Sequence, residues 1–166
     1  MSSFALEVVA PEERLIDGAA NALVVQTREG WLTVLDGHAP LIGALEPGEV
    51  RVELEAGEQV RLAVHGGFLQ VDTSPGAAEG TAAGDDGPIP GLSTRVTVLA
   101  GVAELSDQID VPRAEAARDA AQARLAELRG GRSDESEETL ARRVAEEEAA
   151  IERAQVRLDV AAAAAP

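Results

Sequence analysis

A chain of 166 residues with 45% apolar and 27% charged side chains has room for one ordinary domain plus an appendage, and its balance is that of a folded protein. The absence of Cys excludes disulfides, thiolate metal sites and thiol nucleophiles, and a total of two histidines, His38 and His65, excludes a multi-histidine metal centre. A formal charge of −16, from 30 acids against 14 bases that are all Arg, opposes non-specific attachment to nucleic acid or anionic lipid.

The start, Met1-Ser2-Ser3-Phe4, has neither the basic residues nor the apolar stretch of a signal peptide, and every apolar run is far short of the ~20 residues that span a bilayer. A soluble chain is expected. Phe4-Ala5-Leu6-Glu7-Val8-Val9 reads as a first strand ending at the turn Pro11-Glu12-Glu13. A second strand, Ala22 to Thr27, runs to a turn at Glu29-Gly30. Glu49-Val50-Arg51-Val52-Glu53-Leu54 alternates strictly, breaks at Ala56-Gly57 and resumes as Gln59-Val60-Arg61-Leu62-Ala63-Val64, the clearest hairpin in the chain. Alternation of this kind belongs to a sheet with one face against a second layer. Many short strands between Gly and Pro turns predict a sandwich or barrel over residues 1–106. With Phe4, Trp31 and Phe68 as the only aromatics, its core must be aliphatic, which disfavours an aromatic-lined ligand pocket.

Residues 73–94 carry five Gly and three Pro with almost nothing large to bury, so they read as an inserted flexible loop; strand character returns at Arg95-Val96-Thr97-Val98-Leu99-Ala100. Such an insertion costs little, because loop-closure entropy grows only logarithmically with length. From Asp110 the apolar period changes to that of a helix. Asp110 is the expected N-cap, Pro112 stands in the first turn, and Ala114, Ala117, Ala121, Leu125 and Leu128 recur at steps of three or four. Gly130-Gly131 stops this helix, and Asp134 with Glu137 is placed to cap another. In the second helix Leu140, Val144, Ile151, Ala154 and Leu158 share a face, interrupted at Glu147-Glu148. Residues 107–166 are therefore expected to form an antiparallel αα-hairpin with a thin seam, suited to a movable arm.

No catalytic constellation emerges. There is no G-x-S-x-G elbow, and a phosphate loop ending in Gly-Lys is impossible without Lys. Asp36 and His38 lie close together, but within a run that reads as a structural corner. Glu138 with Arg142, Arg142 with Glu146 and Arg143 with Glu147 are i,i+4 pairs on solvated helix faces. Arg153 and Arg157, one turn apart, have no carboxylate at three or four residues within the helix. Two readings stand side by side: solvation or a partner elsewhere in the fold, and a bidentate clamp for phosphate.

The order of short motifs carries a resemblance. Val9-Ala10-Pro11-Glu12, Glu29-Gly30 followed by Leu32, Gly37-His38-Ala39-Pro40-Leu41, Gly66-Gly67-Phe68-Leu69-Gln70-Val71, Val96-Thr97-Val98-Leu99-Ala100 with Ala103-Glu104, and Ile109-Asp110-Val111-Pro112-Arg113-Ala114 follow one another along nearly the full length. In this the chain resembles the ε subunits of bacterial F-type ATP synthases, of an actinobacterial kind with an inserted loop. Asp36 and Thr33 depart from the residues usual in that family.

The resemblance implies a ten-stranded β-sandwich followed by a two-helix domain, with no active site of its own and no required cofactor or metal. It implies a rotor subunit on the cytoplasmic face of the bacterial cell membrane, attached there only through its complex. The γ-facing positions would be His38, Ala39, Pro40 and Leu41, and the contact with the c ring would be Glu29, Gly30, Trp31 and Leu32. The helical pair would reach the α/β hexamer and impede ATP hydrolysis. Some members bind ATP as a regulatory ligand; the matching positions here are Glu104, Ile109, Asp110, Arg113, Ala114, Arg153 and Arg157, while the basic residue of such members midway along the first helix falls on Ala120. The alternative is a stand-alone nucleotide-sensing sandwich with a helical lid. An exposed apolar strip separates the two, since only a subunit that docks on γ needs one.

Overall fold

Alternating apolar residues on successive strands close over one another to make a core that is aliphatic except for Phe4, whose buried ring departs from the wholly aliphatic core expected. In a computed structural model, which describes residues 2–73, 94–130 and 136–164, the chain divides into two compact units, Met1–Leu105 and Ser106–Pro166. The first contains nine strands: β1 (Phe4–Val9), β2 (Arg14–Thr27), β3 (Gly30–Val34), β4 (Leu41–Leu45), β5 (Gly48–Leu54), β6 (Gln59–Val64), β7 (Gly67–Thr73), β8 (Thr94–Ala100) and β9 (Ala103–Leu105). The strands are joined in the order β1-β8-β7-β4-β2-β5-β6-β9, with β3 also on β2 and β1 pairing back to β2. All pairs are antiparallel except β1 with β8.

The described residues thus hold nine strands where ten were expected. One reason is β2, which spans 14 residues and bulges between Ala20 and Ala22. Its first half pairs with β1 and its second with β3 and β5, so one bent strand turns the corner that two shorter strands would otherwise make. Its start at Arg14 lies eight residues ahead of the strand expected from Ala22. Asp17-Gly18-Ala19-Ala20 has weak strand propensity, but the ladder with β1 (Leu6 opposite Gly18, Phe4 opposite Ala20) overrides it.

The core draws Phe4, Leu6 and Val8 from β1, Leu69 and Val71 from β7, and Val96 and Val98 from β8. Leu23 and Val25 of β2, Val50 and Val52 of β5 and Leu62 and Val64 of β6 complete it. The expected hairpin is present, with Glu49 opposite Ala63, Arg51 opposite Arg61 and Glu53 opposite Gln59. Thr73 pairs with Thr94 at the last rung of β7 and β8, so the chain leaves and returns at one point; the inserted residues 74–93 lie outside the described residues. Gly67 is fixed by the fold: its φ is +146°, and a Cβ there would come within 2.2 Å of the Leu99 carbonyl oxygen.

In the second unit a 3-10 turn, Ser106–Gln108, leads into α1 (Val111–Gly130), and α2 (Glu137–Ala164) follows. Asp110 caps α1 as expected, its Oδ1 accepting the Arg113 N–H at 3.0 Å. The cap of α2 is Ser136, whose Oγ accepts the Thr139 N–H at 3.3 Å; Asp134 lies outside the described residues. Along the seam Ala114, Ala121 and Leu125 of α1 and Ala154 and Val160 of α2 are buried. Ala117, expected on the buried face of α1, is exposed.

Candidate functional sites

The residues singled out in the sequence fall on two surfaces of the sandwich and in a third group divided among β9, the start of α1 and the body of α2. The first surface begins at the turn after Val34. His38 sits in a corner held from several sides: its N–H donates to the Leu35 carbonyl at 3.1 Å, its Nδ1–H to the Ala39 carbonyl at 2.8 Å, and its own carbonyl accepts from Thr73 Oγ1 at 2.5 Å. Gly37 N–H donates to Thr94 Oγ1 at 2.8 Å. The two threonines that bracket the inserted segment therefore fasten this loop. Ala39 and Pro40 are exposed, while Leu41 is half-buried against the core.

The loop feeds directly into β4, whose outward face is apolar. Ala44 lies opposite Phe68, and Phe68 opposite Leu99, so the three form one row across β4, β7 and β8. Ile42 stands one rung away at 74% exposure, with Phe68 at 60% and Leu99 at 50%. Leaving these side chains in water forgoes about 1.5–3 kcal/mol for each large one, so the strip is an exposed apolar patch of the kind that interaction surfaces carry. None of Ile42, Phe68 or Leu99 stands at a position expected from the sequence to be functional. Their signal was continuous apolar runs, Leu41-Ile42-Gly43-Ala44-Leu45 and Val98-Leu99-Ala100, in place of alternation.

The second surface is the tip and outer face of β2 and β3. Arg28 and Glu29 make a two-residue turn closed by the pairing of Thr27 with Gly30, and Thr27 Oγ1 donates to the Gly30 carbonyl at 3.0 Å. Arg28 also reaches Glu46 at 3.4 Å. Trp31 faces outward at 56% exposure, with the guanidinium of Arg51 5.2 Å from the ring centroid. Leu32, the next residue, points the other way and packs against the core, so of these four positions it serves as scaffold.

The third group is split. Glu104 lies on β9 of the first unit, opposite Ala63. Ile109, Asp110, Arg113 and Ala114 surround the N-terminus of α1 in the second unit; Ile109 and Ala114 are buried and Arg113 is exposed. Arg153 and Arg157 lie on α2, the first exposed and the second half-buried. The N-terminus of α1 and its Arg113 favour negative charge nearby. Among the described residues there is no group of three or more His, Asp or Glu side chains placed to hold a metal ion, and no helix is long and apolar enough to cross a membrane.

Comparison with known proteins gives concordant results. A family description, ATP synthase Delta/Epsilon chain beta-sandwich domain, matches residues 3–75. The chain is 35% identical over 127 residues to the ATP synthase epsilon chain of Brevibacillus brevis, covering 76% of this chain and 81% of that one. It is 39% identical over 114 residues to the ATP synthase epsilon chain of Thermobifida fusca, covering 68% and 69%. Among solved structures, a chain of the mitochondrial ATP synthase of Euglena gracilis has the same fold, with a TM-score of 0.65 at 22% identity, covering 94% of this chain and 79% of that one.

Proposed function

Because the chain belongs to the family of ATP synthase epsilon chains, we propose that it works as a central-stalk subunit whose sandwich docks on the γ subunit and the c ring and whose helical pair restrains ATP hydrolysis by the α/β hexamer. The observation that carries this reading is the apolar row Ala44–Phe68–Leu99 with Ile42, continuous with the fastened loop at His38, Ala39 and Pro40. A free-standing nucleotide sensor has no use for such a strip; a subunit that must stay on a rotating shaft does. The Arg28-Glu29 turn and Trp31 are assigned to the polar loops of the c ring, an exposed aromatic being a suitable anchor there. The sheet between these two surfaces has a close-packed aliphatic core, which transmits force with little compliance. The subunit is placed on the cytoplasmic face of the cell membrane, held there by its partners.

The second unit is assigned the regulation. Its seam is narrow and its buried residues mostly Ala, so little apolar area is lost when the two helices rearrange. ATP is assigned as a regulatory ligand of this unit, on the strength of Arg113 at a helix N-terminus and of Arg153 and Arg157 one turn apart on α2. Removing residues 110–166 tests the regulatory half: assembly and proton-driven synthesis persist and ATP hydrolysis rises. Unchanged hydrolysis removes the inhibitory role. Equilibrium binding of labelled ATP to the full chain and to Arg113→Ala tests the ligand.

A further inference from the structure

Trp31 belongs to an exposed tip, yet a guanidinium lies over its ring. Three charged side chains on the outer face of the sheet form a chain that ends on it. Glu49 of β5 is the centre: its Oε1 accepts from Arg61 Nη1, and its Oε2 lies 3.4 Å from Arg51 Nε. Arg51 and Arg61 stand directly opposite each other in the β5–β6 ladder, a placement that costs free energy for like charges. Glu49, with its side chain only 19% exposed, sits between them and offsets that repulsion. Arg51 thereby has its Nε paired with an anchored carboxylate while its guanidinium reaches past Val24 of β2 to lie over Trp31 of β3.

We propose that Arg51, held by a Glu49 carboxylate that Arg61 in turn anchors, is the positioning residue that pre-sets the Trp31 indole for docking. The proposal rests on the assignment of Trp31 to the c-ring contact. A half-exposed Trp on an edge strand normally samples several rotamers and loses that freedom on binding. Here one face of the ring is taken by the cation and the other stays open, so the loss is met before the partner arrives. A structural role alone would bury the indole; 56% exposure leaves it available.

Trp31 is the only Trp in the chain, so indole fluorescence reports on this side chain alone. The full chain is compared with Arg51→Met, Arg51→Lys and Glu49→Gln for fluorescence anisotropy and acrylamide quenching, then for rebinding to ATP synthase stripped of this chain. Trp31→Ala accompanies them in the rebinding. In Arg51→Met and Glu49→Gln the anisotropy falls, quenching rises and rebinding weakens about two- to fivefold, the range of an exposed cation–π contact. Arg51→Lys recovers part of each signal, because it keeps the charge and loses the planar stack. If Trp31→Ala weakens rebinding while Arg51→Met and Glu49→Gln leave it unchanged, Arg51 has no positioning role and the c-ring assignment survives. If Trp31→Ala itself rebinds normally, the assignment falls and the proposal with it.

Discussion

Arg124 crosses from the first helix to the second and donates its Nε–H to Glu147 Oε1 at 2.8 Å. Glu147 occupies the place in the α2 stripe where an apolar residue belongs, and its side chain is 20% exposed. Its other oxygen, Oε2, is buried with no hydrogen-bond partner among the described residues. A charged pair therefore bridges the helices beside the buried Ala121 and Leu125, with Arg129 and Glu148 forming a second bridge at 2.6 Å.

The bridge gives the helical unit a pH dependence. The hydrogen bond from Arg124 holds the Glu147 carboxyl below its ordinary range, opposed by desolvation and helped by the charges of Arg124 and Arg143. A depressed folded pKa contributes stability that is present above the unfolded value, about 4.3, and is lost as the pH falls through the folded one. Arg124 moves upward from a value already far above neutrality, so it adds nothing to this window. Helical circular dichroism of the full chain, followed from neutral pH downward, shows an acid loss of melting temperature that Glu147→Gln diminishes. An unaltered acid profile in that variant contradicts the assignment.

The cap at Asp110 is a second local test. Asp110→Ala leaves the Arg113 N–H without its carboxylate and lowers helix stability by about 1 kcal/mol. Thermal melts monitored at the helical band read this directly, and Asp110→Asn, which can still accept the bond, retains most of the stability.

In the sandwich, Gly67→Ala is expected to cost ~1–3 kcal/mol, because it pairs an unfavourable φ with a Cβ 2.2 Å from the Leu99 carbonyl oxygen. Urea denaturation gives the number. A loss below about 0.5 kcal/mol, the scatter of neutral surface changes, would mean that the β7–β8 ladder is not held as closely as described.

How much of this could be read beforehand differs by element. The β5–β6 hairpin was legible as two strands about a break at Ala56-Gly57, because alternation in Glu49–Leu54 and a Gly turn mark it; its register comes from the ladder. The first half of β2 was not, since Gly18, Ala19 and Ala20 are strand residues only by virtue of β1 beside them. The gap at Glu147 was visible in the helical stripe, whereas its partner was not, because Arg124 lies 23 residues away and only the turn of the hairpin brings it across. His38 and Trp31 could be named from their motifs. The relation of Trp31 to Arg51 depends on β2 lying between their strands, a matter of sheet order rather than of spacing.

The apolar strip separates surface function from stability. Phe68→Glu and Leu99→Glu place charge on side chains that are at least half exposed, so the stability of the isolated chain changes by no more than surface substitutions do, about 0.5 kcal/mol. Each variant nevertheless loses its hold on the complex when purified from cells, because a charge buried in an apolar interface without a partner is strongly unfavourable. Purification yield of associated subunits, against a circular dichroism melt of the same preparation, distinguishes lost docking from lost folding.

Isolation of the tagged full chain from its native cells in mild detergent, with identification of what accompanies it, bears most directly on the central claim. A rotor subunit brings with it the γ, α, β and c subunits of the ATP synthase, and Phe68→Glu releases them. Recovery of the wild-type chain alone, under conditions that keep other membrane complexes whole, would contradict the central-stalk assignment and favour a stand-alone nucleotide sensor.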